Sequence, residues 1–230
     1  MNVERRFLLK GMALGGLAGV AMGSSSLAMA NTMLGGQARP ALPTLALVSG
    51  NVAESAFLQG IKASNAAKQV SVQRTDLSLD FILGLEKRLR SGQPQRIIGL
   101  VDDASAALII DLARSTGARV QWLGQHNATA NASQHRLLSA EAASGCAPQL
   151  GLQLNACGTG FSLSEQRLHG NKAPLQMGAA SRNRAGSEQW AATLGYALAV
   201  MGTADSGQAP LVASRPSPLT GNFVSFSIEA

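Results

Sequence analysis

Two short, continuous apolar runs constrain this chain most: Thr44-Leu45-Ala46-Leu47-Val48-Ser49 and Arg96-Ile97-Ile98-Gly99-Leu100-Val101. A strand that is apolar at successive positions is buried on both faces, which is the habit of parallel sheets covered by helices. Helical spacing follows each run. Ala53, Ala56, Phe57, Gly60, Ile61 and Ser64 repeat on one face of a helix predicted over 52–67. After the second run, Asp103 stands at an N-cap position, 104–116 places Leu108, Ile109, Leu112 and Ala113 inward, and Gly117 fits a C-terminal cap. Between them, 70–75 alternates as a strand and 79–89 sets Ile82, Leu85 and Leu89 on one helical face, with Pro94 barring continuation. A fourth strand is predicted over 119–124. Strands alternating with helices of this length imply right-handed crossovers and an α/β fold: a Rossmann-like parallel sheet flanked by helices.

The pattern weakens after His126. Leu137-Leu138 and 150–154 read as short strands around the two cysteines, 164–168 as a short helix, and 170–187 as polar and irregular. Ser187 is placed to cap a helix over 188–201 that carries Trp190, Leu194, Ala197, Leu198 and Met201 and closes at Gly202. Leu211-Val212-Ala213 and 223–228 read as a terminal strand pair joined through Pro216, Pro218 and Gly221. The organisation expected is therefore one α/β domain over 44–230, with a βαβ core at 44–125 and a mixed α+β part at 126–230.

Composition narrows the partners. The chain is 46% hydrophobic but only 4% aromatic, so its core is built from Ala, Leu, Val and Ile. The formal net charge is +6, yet basic residues are scattered and often lie near acids, as with Asp111 and Arg114 or Glu86 and Arg90. No basic stripe interleaves with aromatics, and nucleic acid is not an expected partner.

The first 30 residues read differently. The run Glu4-Arg5-Arg6-Phe7-Leu8-Leu9-Lys10 resembles the twin-arginine export signal, whose family pattern is Ser or Thr, two arginines, any residue, then Phe-Leu-Lys. Glu4 and Leu8 depart from that pattern. A Gly- and Ala-rich uncharged segment runs from Gly11 to Ala28, and Ala28-Met29-Ala30 makes a small-residue cleavage site. The resemblance implies a signal peptide over 1–30 cleaved after Ala30, a flexible mature N-terminus at 31–43, the twin-arginine translocation machinery as a partner, and a periplasmic location. The apolar segment lacks the Leu, Ile and Val density of a stable membrane span. Cargo of this route folds before export and often loads a cofactor, so the resemblance raises a redox context without identifying a cofactor.

A second, local resemblance lies in the mature part. The first strand, Ala56-Phe57-Leu58-Gln59-Gly60-Ile61-Lys62 on the first helix, and the later Ile-Ile-Gly-Leu-Val strand are similar to one lobe of type I periplasmic binding proteins over about 44–125. This chain is much shorter than a two-lobed member, so the resemblance speaks to fold class.

Candidate chemistry follows from the fold class. In open α/β sheets ligands sit beyond the carboxyl ends of the strands. Ser49-Gly50-Asn51 follows the first strand, and Asp102-Asp103 with Ser105 follows the third. Ser49 and Asn51 suit hydrogen bonds to a small polar ligand, and Asp102 suits a cationic or hydroxyl group. Against that, Asn51 and Asp103 are also ordinary helix caps. Glu54 and Asp102 make a phosphate unattractive there. Gly158-Thr159-Gly160 reads as a turn or an anion-holding nest. Cys146 and Cys157 read as one disulfide or as two separate buried thiols. His126, His135 and His169 show no metal-ligand spacing, and no Cys-x-x-Cys, His-Glu-x-x-His or Gly-x-Ser-x-Gly occurs. A Cys146–His135 dyad is the remaining nucleophile arrangement. The expectation is an exported, non-catalytic binder of a small molecule or an accessory protein. The alternatives are a subunit or maturation factor of a periplasmic redox complex, and then a small transferase or hydrolase.

Overall fold

The computed structural model describes residues 42–143, 145–168, 173–182, 188–203, 207–213 and 218–230. The expected export signal with Arg5, Arg6, Ala28 and Ala30, together with His169 and Ser187, lies outside them. Residues 40–230 form one compact unit.

The first half forms as its pattern dictates. Strand β1 (Thr44–Val48) is buried at every position, and β3 (Arg96–Val101) likewise. Between them come a 3-10 turn at Val52–Glu54, helix α1 (Ala56–Ala63), β2 (Val70–Arg74) and α2 (Leu79–Leu89). The predicted long first helix is thus broken: Ser55 turns out of the helix and caps α1, its hydroxyl accepting from the Phe57 N–H at 3.2 Å. Ser78 caps α2 in the same way, accepting from Phe81 at 3.2 Å. Helix α3 (Asp103–Ser115) follows β3 and ends before Gly117, whose φ of +80° is the left-handed geometry a side chain resists.

These strands pair in parallel, β2 with β1 and β1 with β3, with Ala46 opposite Val72 and Ile98. Alternate residues of β1 enter different cores. Ala46 and Val48 pack with Phe57 and Ile61 of α1, whereas Leu45 and Leu47 pack with Phe81, Leu85 and Leu89 of α2 and Ile109 of α3. Helices therefore cover both faces.

The second half departs from expectation. Strand β4 (Arg119–Ala128) is longer than predicted and pairs antiparallel with β5 (Ala132–Ser139). Residues 150–154 are helical, inside α4 (Cys146–Ala156), because Ala147, Leu150, Gly151 and Leu154 fall on one buried helical stripe. Residues 164–168, expected as helix, lie mostly in β6 (Gly160–Arg167), which runs parallel to β5. Part of the stretch expected to be irregular is β7 (Leu175–Ala179).

The expected terminal strand pair does not form. Leu211–Ala213 is irregular, held by the Gln189 side chain, which accepts from the Val212 N–H at 3.0 Å and donates to the Pro210 carbonyl at 2.9 Å. The last strand, β8 (Gly221–Glu229), inserts instead between β3 and β4, antiparallel to both. The result is one eight-stranded mixed sheet in the order β2-β1-β3-β8-β4-β5-β6-β7. The α/β class holds, with five α-helices about the sheet among the described residues; there the wholly parallel arrangement is confined to β2-β1-β3 and the β5–β6 pair.

Helix α5 (Gln189–Val200) is buried at all 12 positions, not along one stripe. It passes against α1 so closely that a Cβ on Gly60 would stand 1.9 Å from the Ala192 carbonyl oxygen, and one on Gly195 would stand 2.1 Å from that of Phe57. The Ala- and Gly-rich composition serves this backbone-to-backbone approach. No helix among the described residues is long and apolar enough to cross a membrane.

Candidate functional site

Strands β1 and β3 are adjacent, parallel neighbours whose following helices, α1 and α3, cover opposite faces of the sheet. In open α/β sheets, divergence of this kind forms the crevice beyond the strand ends that holds ligands. Val48 pairs with Leu100, so Ser49-Gly50-Asn51 and Asp102-Asp103 stand side by side at its mouth. The sequence-predicted residues are therefore brought together.

Their individual roles are less uniform. Asp102, not Asp103, caps α3: its Oδ1 accepts from the Ser105 N–H at 2.9 Å and its Oδ2 from the Ser105 hydroxyl at 2.8 Å. This corrects the predicted helix start by one residue, because only Asp102 retains the extended backbone a cap requires. Asp103 is exposed on the first turn. Asn51 precedes a 3-10 turn but makes no side-chain cap bond, and the carbonyl of Ser49, a buried residue, accepts from the N–H groups of Val52 and Ala53 at 3.0 and 3.1 Å. A Cβ on Gly50 would meet nothing within 4 Å, so the space beside it is open.

Electrostatics at this mouth disfavour an anion. The N–H of Ala56, at the start of α1, is occupied by Glu188 Oε2 at 3.0 Å, and Glu188 Oε1 accepts from the Leu219 N–H at 2.8 Å. A carboxylate of the chain itself thus fills the place where a helix N-terminus would attract a phosphate. Glu54, Asp102 and Asp103 add negative charge, offset by Arg74, which lies 4.0 Å from Glu54.

The other candidates resolve as structure. Cys146 opens α4 and Cys157 follows its last residue, which separates them by about 16 Å along the helix at 1.5 Å per residue. Both are free thiols, so the disulfide reading is corrected. Burial pushes the Cys146 thiol up to about 11, with Glu165 adding to the rise and Arg96 opposing it; burial also raises Cys157. Gly158, at φ +71°, ends α4: its N–H and that of Thr159 donate to the carbonyls of Asn155 and Leu154 at 3.0 and 3.2 Å. Those amides serve the helix end and make no anion nest.

A polar cluster that sequence reasoning missed lies under Trp190. His126 Nδ1 is 2.8 Å from His135 Nδ1, His126 Nε2 is 2.7 Å from Ser225 Oγ, and His135 Nε2 is 2.9 Å from Ser133 Oγ. The Trp122 indole N–H donates to Ser225 Oγ at 2.9 Å. With both ring nitrogens of His135 engaged, the Cys146–His135 dyad does not form. One tautomer set satisfies all three contacts: Ser225 donates to His126, His126 to His135, and His135 to Ser133. Ser225, His126 and His135 have the order of nucleophile, base and orienting group, but at 0%, 2% and 1% exposure no substrate reaches them. Burial, and then His135, holds His126 well below its ordinary range; burial lowers His135 to about 4. The signal in the sequence was parity: Trp122, Gly124, His126 and Ala128 alternate as inward residues of one strand, as do Ser133, His135 and Leu137 of the next.

Comparison of the chain with protein-family models, curated proteins and solved structures found no match.

Proposed function

We propose that this chain is an exported, periplasmic protein that binds a small, neutral or basic polar molecule without transforming it, in the crevice between the ends of β1 and β3. The observation that carries the reading is the divergence of α1 and α3 from adjacent parallel strands, with Asn51, Gly50 and Asp103 open at its mouth. The Arg5-Arg6 run supports export and the twin-arginine machinery as a partner. The acidic rim and the Glu188 carboxylate at the α1 terminus argue for a ligand without negative charge.

The test is native mass spectrometry of protein purified from the periplasm of its own host. A mass starting at Asn31 with both thiols reduced, plus a small adduct lost on Asn51→Ala and Asp103→Ala substitution, is expected. A chain still carrying residues 1–30 overturns export with cleavage, and an adduct unaffected by either substitution overturns the crevice.

A second reading, an accessory subunit of an exported complex, rests on a different surface. On the sheet face opposite α4, Gln125, Asn127, Gln134, Arg136, Ser162 and Gln166 are exposed. A protein partner retained in the same spectrum would favour this reading.

A further inference from the structure

We propose that the Ser225–His126–His135–Ser133 chain is an acid-sensitive latch, whose protonation loosens the helix layer over β4 and β5. The geometry makes the pair intolerant of charge. The two imidazoles meet Nδ1 to Nδ1 at 2.8 Å, a contact that holds one proton; an added proton has only His126 Nε2 to occupy, where Ser225 must turn from donor to acceptor, and a further one leaves two N–H groups facing each other. Trp190 of α5 closes over both rings, with centroids 5.6 Å from His126 and 5.7 Å from His135, and Phe223 lies 6.0 Å from Trp190.

No carboxylate compensates among the described groups that face the pair. On β4 and β5, Gln125, Asn127, Gln134 and Arg136 belong to the opposite, solvent face. On β6, Leu163 sits beside His135, and Glu165, one pleat further on, accepts from the Ser139 hydroxyl and lies 3.7 Å from Arg167. On β8 the neighbours are Phe223 and Ser225. At the start of α5, Glu188 is held by the backbone of Ala56 and Leu219. The indole face of Trp190 attracts a cation, but that attraction is small beside the cost of charging a fully buried ring.

Both histidines bind protons more weakly in the folded chain than in the unfolded one. Stability from the pair is therefore complete above the ordinary value of 6.5 and is lost as pH falls towards about 4. Each histidine favours the open state by at most about tenfold per pH unit, and by less near 6.5 where the unfolded ring is only half protonated, so from pH 6.5 to 5 the pair shifts the equilibrium by about 250-fold.

The chain's 2 tryptophans both touch the cluster, so intrinsic fluorescence reports on it directly. Emission is followed from pH 7.5 to 4, alongside urea midpoints, in the wild type and in His135→Gln. The expected result is a cooperative emission change between pH 6.5 and 4, with its steepness roughly halved in the variant. A wild type that keeps its emission and urea midpoint down to pH 4, or an unchanged transition in the variant, overturns the latch. Should the variant not fold, proton NMR of the wild-type histidines decides. Two rings silent near pH 6.5 while the protein is folded support the latch; either ring titrating there in the folded protein overturns it.

Discussion

The two halves of the sheet solve the burial problem in opposite ways. Strands β1 and β3 are covered by helices on both faces, so they are apolar at nearly every position and carry no information about which residue points where. Strands β4, β5 and β6 are covered on one face only, and their residues alternate between buried and exposed. The doubly covered half advertises itself as continuous apolar runs. The singly covered half has room on its inner face for polar groups, provided they bond one another, and that is where the His126–His135 chain lies. Space is tight where a strand is covered on both sides; Gly99 shows the limit, since a Cβ there would stand 2.3 Å from the Phe226 ring.

The sharpest break in the comparison is where the halves meet in the helix layer. Gly60→Ala forces α1 of the first half off α5 of the second, because the Ala192 carbonyl occupies the added carbon's place. A loss on the order of 3 kcal/mol is expected by urea denaturation, and a loss below about 0.5 would show that the helices adjust freely. Next in size is a matched pair on the two halves of one sheet face. Leu47→Ala, in the helix-covered part, should cost about 3 kcal/mol, whereas Gln134→Ala, in the uncovered part, should stay within about 0.5. Equal losses would mean that the second half is covered on that face as well.

Smaller effects refine the crevice. Asp102→Ala removes the α3 cap and should cost about 1 kcal/mol, while Asp102→Asn, which caps as well, should cost only a few tenths. If both substitutions cost the same, charge rather than capping is what Asp102 contributes. The least effect is expected at Arg90→Ala, whose exposed bond to Glu86 at 3.0 Å should be worth less than about 0.5 kcal/mol. That difference should shrink further in high salt, and thermal melts at two ionic strengths would show it.

Legibility followed the same divide. The end of β1, all of β3, and α2 from Leu79 to Leu89 were readable because Gly50, Pro94 and the apolar periods mark them locally. The start of α3 was misplaced by one residue because two adjacent aspartates both satisfy the capping rule, and only the backbone angle decides between them. Residues 150–154 and 164–168 were exchanged between strand and helix, since short segments of mixed Leu, Gln, Ser and Gly carry no decisive period. Ser49 to Asn51 and Asp102 to Ser105 could be placed at the ends of their strands by chain order alone. The bonding of Asp102 to Ser105 and of Glu188 to the α1 terminus could not be, because the latter joins residues 132 positions apart.

The sequence by itself determined the local alternation of strands and helices up to Gly124, the glycine cap at Gly117, and an aliphatic core with few aromatics. Tertiary structure alone decided that β8 enters the middle of the sheet, that α5 is buried on every side, that Cys146 and Cys157 are held apart, and that two histidines share one buried hydrogen-bonded chain. The physical reason is range. Hydrophobic period, capping and glycine geometry act within a few residues, whereas the choice of strand neighbour and the satisfaction of buried polar groups depend on segments that meet only when the chain has closed long loops.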